Sequence, residues 1–183
     1  MNAIELMMEE HKNIKVMLKI VRKACFSVLE GNEINYEDFN KIIHFIKNYA
    51  DSHHHKNEEI MLFNRMVDEI GETAEKVVKY GMLVEHDLGR LYISSLEEAL
   101  NSLKNGNEES KLDIIANAIS YTNLLERHIH KEDNVIYKFA QRELKEDIIN
   151  LINSECVNFE DDFINVKNEN LLILSELQEK YCI

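Results

Sequence analysis

Apolar residues recur every three or four positions along most of the chain, and this spacing predicts long amphipathic helices. Turn-forming residues at 31–32, 71 and 105–107 separate the helical stretches. The pattern predicts four long helices, which begin near Ala3, Tyr36, Met82 and Ser110. A short helical approach at 72–79 leads to a break or bend at Gly81, just before the third of these helices.

Residues with suitable capping side chains lie at the predicted helix starts. Asn2 and Glu5 have the spacing of a capping box, in which each side chain bonds the other residue's backbone N–H. Asn35 and Ser110 are suited to cap the second and fourth helices. Gly31 is suited to end the first helix, because glycine readily adopts the left-handed conformation that often follows a helix.

The composition fits an all-α chain with one sizeable core. The sequence has 183 residues, no proline and five glycines, which suits long helices with short connections. We expect residues 1–145 to form a four-helix bundle. Residues 146–183 have apolar positions spaced for one or two further helices, and we expect this extension to pack on the bundle or on a second subunit.

Charge and cysteine content narrow the class of protein. The net charge of −13 argues against nucleic acid or an anionic membrane as a partner. No apolar run is long enough for a transmembrane helix, and the N-terminal segment lacks the apolar stretch of a signal peptide. The three cysteines suit neither a CxxC site nor a disulfide framework. We therefore expect a cytoplasmic protein, and a homodimer is left open.

Each of the four predicted apolar stripes has a histidine at its centre. In the first stripe, for example, His11 is four residues after Met7 and three before Ile14, which places all three on one face. A lone histidine in such a stripe is more often a hydrogen-bonded core residue than a metal ligand. One histidine in each of four stripes reverses that expectation. The four are His11, His54, His86 and His128.

Two of these histidines are followed by a glutamate four residues later. Because four residues are just over one helical turn, His54 shares a face with Glu58, and His128 shares a face with Glu132. The fourth stripe continues beyond its glutamate through Val135. Both glutamates are therefore expected to point inward.

A further pair, His55 and Glu59, has the same spacing and is kept as the alternative to the pair one residue earlier. His55 follows Asp51 and Asn48 along one side of the helix, which predicts a wetter environment than that of His54. The remaining histidines flank the stripes, and we expect them to be solvated or to lie just outside the ligand set. They are His44, His53 and His130.

Six polar side chains in an apolar core are costly without a partner. Burying one unpaired charged group costs several kcal/mol, and a bound pair of cations removes that cost. Four imidazoles and two bridging glutamates give each of two metal ions about four protein ligand atoms, with a position left for a small molecule. A mixed imidazole and carboxylate set suits iron, with manganese or zinc as weaker candidates.

The motifs around these residues resemble the hemerythrin-like family, also called the HHE cation-binding domain. The resemblance covers residues 1–145 and rests on EEHKNI, HHHKNEEIMLF, VEHDLGRLY and HIHKEDNVIY, in this order on four predicted helices. It implies an up-down-up-down four-helix bundle with a non-haem di-iron centre, in which an oxo or hydroxo group bridges the two irons. The ligands that it implies are His11, His54, Glu58, His86, His128 and Glu132.

The sequence departs from the oxygen-carrying hemerythrins on the third helix. Those proteins have a further histidine one turn from the first, whereas here Met82 and Arg90 lie one turn either side of His86. The set of four histidines and two glutamates is more similar to that of iron–sulfur repair proteins and iron-sensing hemerythrin-like domains. Arg90 is expected to bond a bridging glutamate, a bound anion or a nearby surface acid.

The resemblance implies a protein that binds or senses O2 or NO at a centre of four histidines and two glutamates. The alternative is a di-iron enzyme or repair protein that handles peroxide or NO, or that donates iron for iron–sulfur cluster repair. The sequence leaves open whether the protein is an enzyme, because no separate catalytic acid or base is evident beside the stripes.

Overall fold

Residues 2–183, which the computed structural model describes, fold into five helices and contain no strand. Short connections separate the helices. We label them α1 (Ala3–Leu29), α2 (36–70), α3 (72–104), α4 (110–143) and α5 (Glu146–Lys180). The all-α class expected from the sequence is confirmed.

Three of the helices change from α to π hydrogen bonding along their length. Helix α2 consists of Tyr36–Phe45, the π segments Ile46–His55 and Glu58–Phe63, and Asn64–Ile70. Helix α3 consists of Glu72–Val77, the π segment Val78–Met82 and Leu83–Lys104, and α4 consists of Ser110–Lys131, the π segment Glu132–Ile136 and Tyr137–Glu143. A π turn bonds residue i to i+5, so it holds more residues than an α turn, and such segments often lie at functional sites.

The predicted helix starts are correct for the first two helices. Asn2 and Glu5 form the capping box, with bonds in both directions. The side chain of Asn35 accepts a hydrogen bond from the backbone N–H of Asp38 at 3.1 Å. After α1, Gly31 has a φ of 93°, a left-handed conformation that glycine adopts without steric cost.

Two later boundaries differ from the prediction. The Ser110 hydroxyl donates to Ser102 Oγ at 2.8 Å instead of capping its own helix, and Glu109, which precedes the helix, makes no capping bond. Gly81 lies within the π segment of α3, so this helix begins at residue 72 and not at the predicted position. The wider π turn absorbs the glycine without ending the helix.

Two apolar clusters form the core, and a polar layer separates them. On α1, Met7 belongs to the smaller cluster and Ile14 to the larger one, and His11 lies between them. On α4, Leu125 belongs to the larger cluster and Ile136 to the smaller one. The expectation that Val135 continues the inward stripe is wrong, because this residue is 58% exposed.

The C-terminal extension is a single helix of 35 residues that packs against α1 and α2. Its contact face buries Ile152, Cys156, Phe159, Leu174 and Leu177. It therefore shares a core with the rest of the chain, and the division of the chain near residue 145 stays a prediction.

Neither a membrane-spanning segment nor a disulfide is found in the part of the chain that the structure describes. None of the helices there combines the length and the apolar character needed to cross a bilayer. The thiols of Cys25, Cys156 and Cys182 are free, and the first two are buried.

The packing of the larger cluster leads to a stability prediction. Ile42 is fully buried, so Ile42→Ala should lower the free energy of unfolding by about 2–5 kcal/mol. Leu172, which is 73% exposed, is the matched control, and Leu172→Ala should change it by no more than about 0.5 kcal/mol. Urea denaturation followed by circular dichroism measures both. Equal losses in the two variants would contradict the packing described.

Candidate metal centre

The layer between the two apolar clusters contains all six side chains singled out from the sequence. Each is at most 1% exposed: His11, His54, Glu58, His86, His128 and Glu132. Four helices contribute them, with two coming from α2 and two from α4. Their assignment as metal ligands stays a prediction, but the structure brings their side chains together.

These side chains form two groups, and a seventh residue joins them. One group consists of His11, His54, Glu58 and Glu132, and the other of His55, His86 and His128. Within each group, one potential ligand atom per residue lies within 4.8 Å of all the others. Either group could hold a metal ion.

The expectation that His55 faces a wetter side of the helix is wrong. This side chain is 4% exposed, and its ring stacks on that of His86 with the ring centroids 3.9 Å apart. His54 and His55 both lie in the π segment Ile46–His55 of α2. Because a π turn holds more residues than an α turn, consecutive side chains are rotated less from each other. Both can then face the centre.

The other three histidines have different surroundings. The side chain of His44 is 43% exposed, and His130 is also exposed, as expected. His53 is fully buried beneath α5, and its Nε2 atom lies 2.8 Å from Glu160 Oε1. It is therefore not solvated, and it lies outside the two groups.

Glu132 and Glu58 connect the two groups. Glu132 Oε2 lies 3.3 Å from His11 Nε2 in one group, while Oε1 lies 3.0 Å from His128 Nε2 in the other. Glu58 Oε2 lies 3.6 Å from His54 Nε2 and 3.8 Å from His86 Nε2. Each carboxylate is thus positioned to bridge two cations.

A tyrosine touches the same carboxylates. The hydroxyl of Tyr137, which is buried, donates to Glu58 Oε1 and lies 3.5 Å from His11 Nε2. The oxygen of Glu58 that faces the tyrosine is thereby satisfied, which leaves Oε2 for the centre.

The Nδ1 atom of every central histidine donates outward to a carboxylate. Four of these bonds join neighbouring helices in a closed ring: His54 on α2 to Glu10 on α1 at 2.9 Å, His86 on α3 to Glu59 on α2 at 2.7 Å, His128 on α4 to Glu85 on α3 at 2.8 Å, and His11 on α1 to Asp133 on α4 at 2.7 Å. The fifth, from His55 to Asp51 one turn earlier, is longer at 3.4 Å. A carboxylate acceptor fixes the tautomer and the orientation of a ligating histidine.

Each of these five carboxylates is also paired with a cation. Lys15 bonds Asp133 at 2.9 Å and Lys167 bonds Glu10 at 2.9 Å. Lys131 pairs with Glu85, and Arg90 bonds both Asp51 and Glu59, at 2.8 and 2.9 Å. Of the roles expected for Arg90, the bond to nearby acids is the one found. Two of its three acids, Asp51 and Glu59, orient His55 and His86, and the third is the exposed Asp87 at 2.9 Å.

The geometry of the layer fits a bound pair of cations. With its Nδ1–H donated outward, each imidazole that is neutral presents the lone pair of its Nε2 atom to the centre. The Nε2 atoms of His86 and His128 are 3.0 Å apart, a distance at which two lone pairs repel unless a cation or a proton lies between them. Moreover, Nε2 of His54, Oε2 of Glu58 and both carboxylate oxygens of Glu132 are buried without a hydrogen-bond partner among residues 2–183.

The protonation of the layer supports the same conclusion. Burial raises the pKa of Glu58 to about 8, and the charge of Glu132 acts in the same direction. Burial lowers the pKa of His55 well below its usual value, so His55 is the neutral imidazole that binds metals. Burial also opposes protonation of His128, but the Glu132 carboxylate outweighs it and raises the pKa of His128 to about 10. Protons thus balance the buried charge, and metal binding would release them.

Sequence reasoning kept His55 and Glu59 only as the alternative inward pair, and it missed Tyr137 and the roles of the five outer carboxylates. Four of these carboxylates directly adjoin a predicted ligand in the sequence: Glu10, Glu59, Glu85 and Asp133. That adjacency is a usable signal. The pairs themselves were out of reach, because each of these acids accepts from a histidine on a different helix.

The fold and the layer together define a class of protein: an all-helical chain with buried histidine and carboxylate groups that could hold metal ions. A family model described as the hemerythrin HHE cation-binding domain matches residues 2–140. The chain belongs to this family, as its motifs suggested. Neither a curated protein nor a solved structure matches the chain significantly.

The buried position of His55 leads to a prediction about metal content. His55→Ala should weaken the binding of one metal ion by about 10–100-fold and so lower the metal retained after desalting, because its group then offers two imidazoles in place of three. His130→Ala is the matched control, because His130 is exposed, and it should bind as much metal as the wild type. Metal analysis after anaerobic loading and desalting measures both variants. Equal metal contents would show that His55 is not a ligand.

Proposed function

We propose that the protein is a non-haem di-iron protein that binds or senses a small neutral gas, O2 or NO. His11 and His54 would hold one iron, His55, His86 and His128 the other, and Glu58 with Glu132 would bridge them. The set thus adds His55 to the six ligands proposed from the sequence. Mixed imidazole and carboxylate ligands favour iron over softer or harder metals, and manganese and zinc remain weaker candidates.

A bound iron pair would supply reversible electron transfer and a coordination position for a diatomic ligand. The chain's own part is to orient the imidazoles through the ring of carboxylates and to keep bulk water out of the layer. It also has to admit the ligand, and a cavity lined by His55 and His86 provides a route.

We further propose that α1 to α4 form the up-down-up-down bundle of the family. The order of the two apolar clusters supports this topology. Along α1 the chain passes from the smaller cluster to the larger one, and along α4 from the larger to the smaller. On α2, Ala50 in the larger cluster precedes Leu62 in the smaller one, and on α3 Met82 in the smaller cluster precedes Ile93.

The observation that carries the functional proposal is a cavity that reaches two of the proposed ligands. It has a volume of about 120 Å³, and its wall includes His55, His86, Gly89, Ile93 and Tyr121. One water molecule needs about 10–15 Å³ of such space. The cavity therefore has room for several water-sized molecules and can admit a ligand of a few atoms.

The charges of the cavity wall favour a neutral ligand over an anion. The wall contains two cations, Lys47 and Arg90. Lys47 is held by both oxygens of Glu97 at 2.8 and 2.6 Å, and Arg90 is held by the acids described above. With both cations paired, neither is free to bind an anion. This favours a neutral ligand.

Tyr121 is the polar group that we expect to meet the ligand. It is 2% exposed, it lines the cavity, and its hydroxyl has no hydrogen-bond partner among the described residues. A buried hydroxyl without a partner costs about 1–3 kcal/mol. A bound ligand with an acceptor atom would recover that cost.

Anaerobic loading followed by absorption spectroscopy tests the proposal. The purified chain should take up two Fe(II) ions, and its spectrum should change on adding O2 or NO and revert when the gas is removed. Catalytic consumption of peroxide or NO would identify an enzyme instead, and rapid loss of iron to a metal-free acceptor would identify a donor for cluster repair. A chain that takes up no iron would refute the proposal.

We also propose that the protein is cytoplasmic.

The unpartnered hydroxyl of Tyr121 leads to a specific prediction. Tyr121→Phe should leave the iron content unchanged and weaken gas binding about three- to tenfold, because a hydrogen bond of about 0.5–1.5 kcal/mol is lost. Tyr49→Phe is the matched control, since the buried Tyr49 hydroxyl already accepts from Asn13 Nδ2 at 2.8 Å. It should lower stability and leave gas binding unchanged. Stopped-flow association and dissociation rates of the gas measure the effect in both variants. Unchanged rates in Tyr121→Phe would show that the hydroxyl does not contact the ligand.

A further inference from the structure

Helix α5 lies outside residues 2–140, which match the family, yet it supplies a charge to the metal layer. Lys167 on α5 donates to Glu10 Oε1 at 2.9 Å, while Glu10 Oε2 accepts from Nδ1 of His54 at 2.9 Å. A single carboxylate on α1 therefore joins the C-terminal helix to a proposed metal ligand on α2.

Lys167 is much more buried than the other cations that surround the layer. Its side chain is 16% exposed, against 42% for Lys15, 42% for Lys131 and 40% for Arg90. Its acceptor Glu10 is 1% exposed. Water can replace an exposed ammonium group at little cost, but it cannot reach a carboxylate this deeply buried. Removing Lys167 would leave a buried charge uncompensated.

A second set of contacts holds Lys167 in place. Glu160 lies 7 residues before Lys167 on α5 and accepts a hydrogen bond from it through Oε2. Its other oxygen, Oε1, lies 2.8 Å from Nε2 of the fully buried His53. The ring of His53 also packs against Phe159, with the ring centroids 5.6 Å apart. A metal ion among Glu10, His53 and Glu160 would have to displace the ammonium group. This cluster therefore serves to position side chains and is not a third metal site.

We propose that Lys167 is a positioning residue for the metal centre, and that α5 thereby controls occupancy of the half that contains His11 and His54. Lys167 holds Glu10 where it orients the imidazole of His54. Because coupling between two binding events is reciprocal, a metal ion in this half strengthens the docking of α5 on the bundle. The inference rests on the proposed ligand role of His54. By this inference, α5 docks more tightly on the bundle when this half binds a metal ion.

Stepwise titration of the full chain with Co(II), followed by absorption spectroscopy, tests this proposal. In Lys167→Met, the affinity for one ion should stay unchanged and that for the other should fall about 10–100-fold, as changes beside a ligating histidine typically cause. Lys167→Arg should restore both. Lys15→Met is the matched control, because it removes the cation from the more exposed Asp133, and both ions should bind within about threefold of wild type.

A second control separates positioning from mere packing of α5. Arg65 on α2 bonds Glu155 on α5 at 2.9 Å and contacts none of the proposed ligands, so Arg65→Met weakens docking without touching Glu10. It should keep both Co(II) affinities within about threefold. Loss of one ion in Arg65→Met and Lys167→Met alike would overturn the proposal. So would two unchanged affinities in a folded Lys167→Met.

Hydrogen exchange on the wild-type chain tests the reciprocal effect without any substitution. Adding Co(II) should slow amide exchange at residues 156–170 of α5 more than at residues 173–180. Unchanged exchange at 156–170 on loading would contradict the proposal even if Lys167→Met fails to fold. The titration of the wild-type chain distinguishes the proposed function from the positioning role of Lys167. If no ion binds, both are overturned. If two ions bind and Lys167→Met binds them with unchanged affinities, only the positioning role is overturned.

Discussion

The structure depends on burying two carboxylates and five imidazoles in one layer between two apolar clusters. Each of these groups would be costly in an apolar core without a partner. Three successive layers of contacts, from the centre outward, offset that cost. The Nε2 atoms and the oxygens of Glu58 and Glu132 face the centre, where they could hold metal ions. The Nδ1 atoms bond carboxylates, and the carboxylates bond lysine or arginine. The apolar clusters exclude water, and the low polarity they create strengthens every bond in the layer.

The ring of imidazole and carboxylate bonds also specifies how the helices are aligned. Each helix from α1 to α4 gives a histidine to one neighbour and an acid to another, as with Glu10, which accepts from His54, and Asp133, which accepts from His11. A shift of one helix by a single turn would break two of these bonds and leave two imidazoles and two carboxylates without their partners. Apolar packing alone tolerates such shifts more easily, since leucine and isoleucine side chains can repack. Polar contacts therefore supply the specificity, and apolar burial supplies most of the stability.

Helix positions and the central histidines were predictable because both follow from the spacing of about 3.6 residues per turn. The same rule misplaced His55, because π segments in α2 rotate its side chain toward the centre. No local feature of the sequence indicates a π segment. His55 was therefore kept only as an alternative to His54, and neither their joint position at the centre nor the stacking on His86 could be predicted. The outer acids adjoin ligands in the sequence, but assigning Glu85 to His128 required knowing which helices are neighbours. Lys167 was out of reach, since it lies 157 residues from its partner Glu10.

The two halves of the layer differ in a way that suits a division of labour. The half with His55 and His86 borders the cavity, and its acids are paired with cations whose side chains are 40–42% exposed. The half with His54 is linked to α5, because its acid Glu10 bonds the mostly buried Lys167. Its other acid, Asp133, bonds the more exposed Lys15. Glu132 places one oxygen in each half, and Glu58 Oε2 lies near His54 in one half and near His86 in the other. The two halves are therefore coupled through both carboxylates. Under the proposed function, a small molecule that enters by the cavity would thus act on the half that contacts the C-terminal helix.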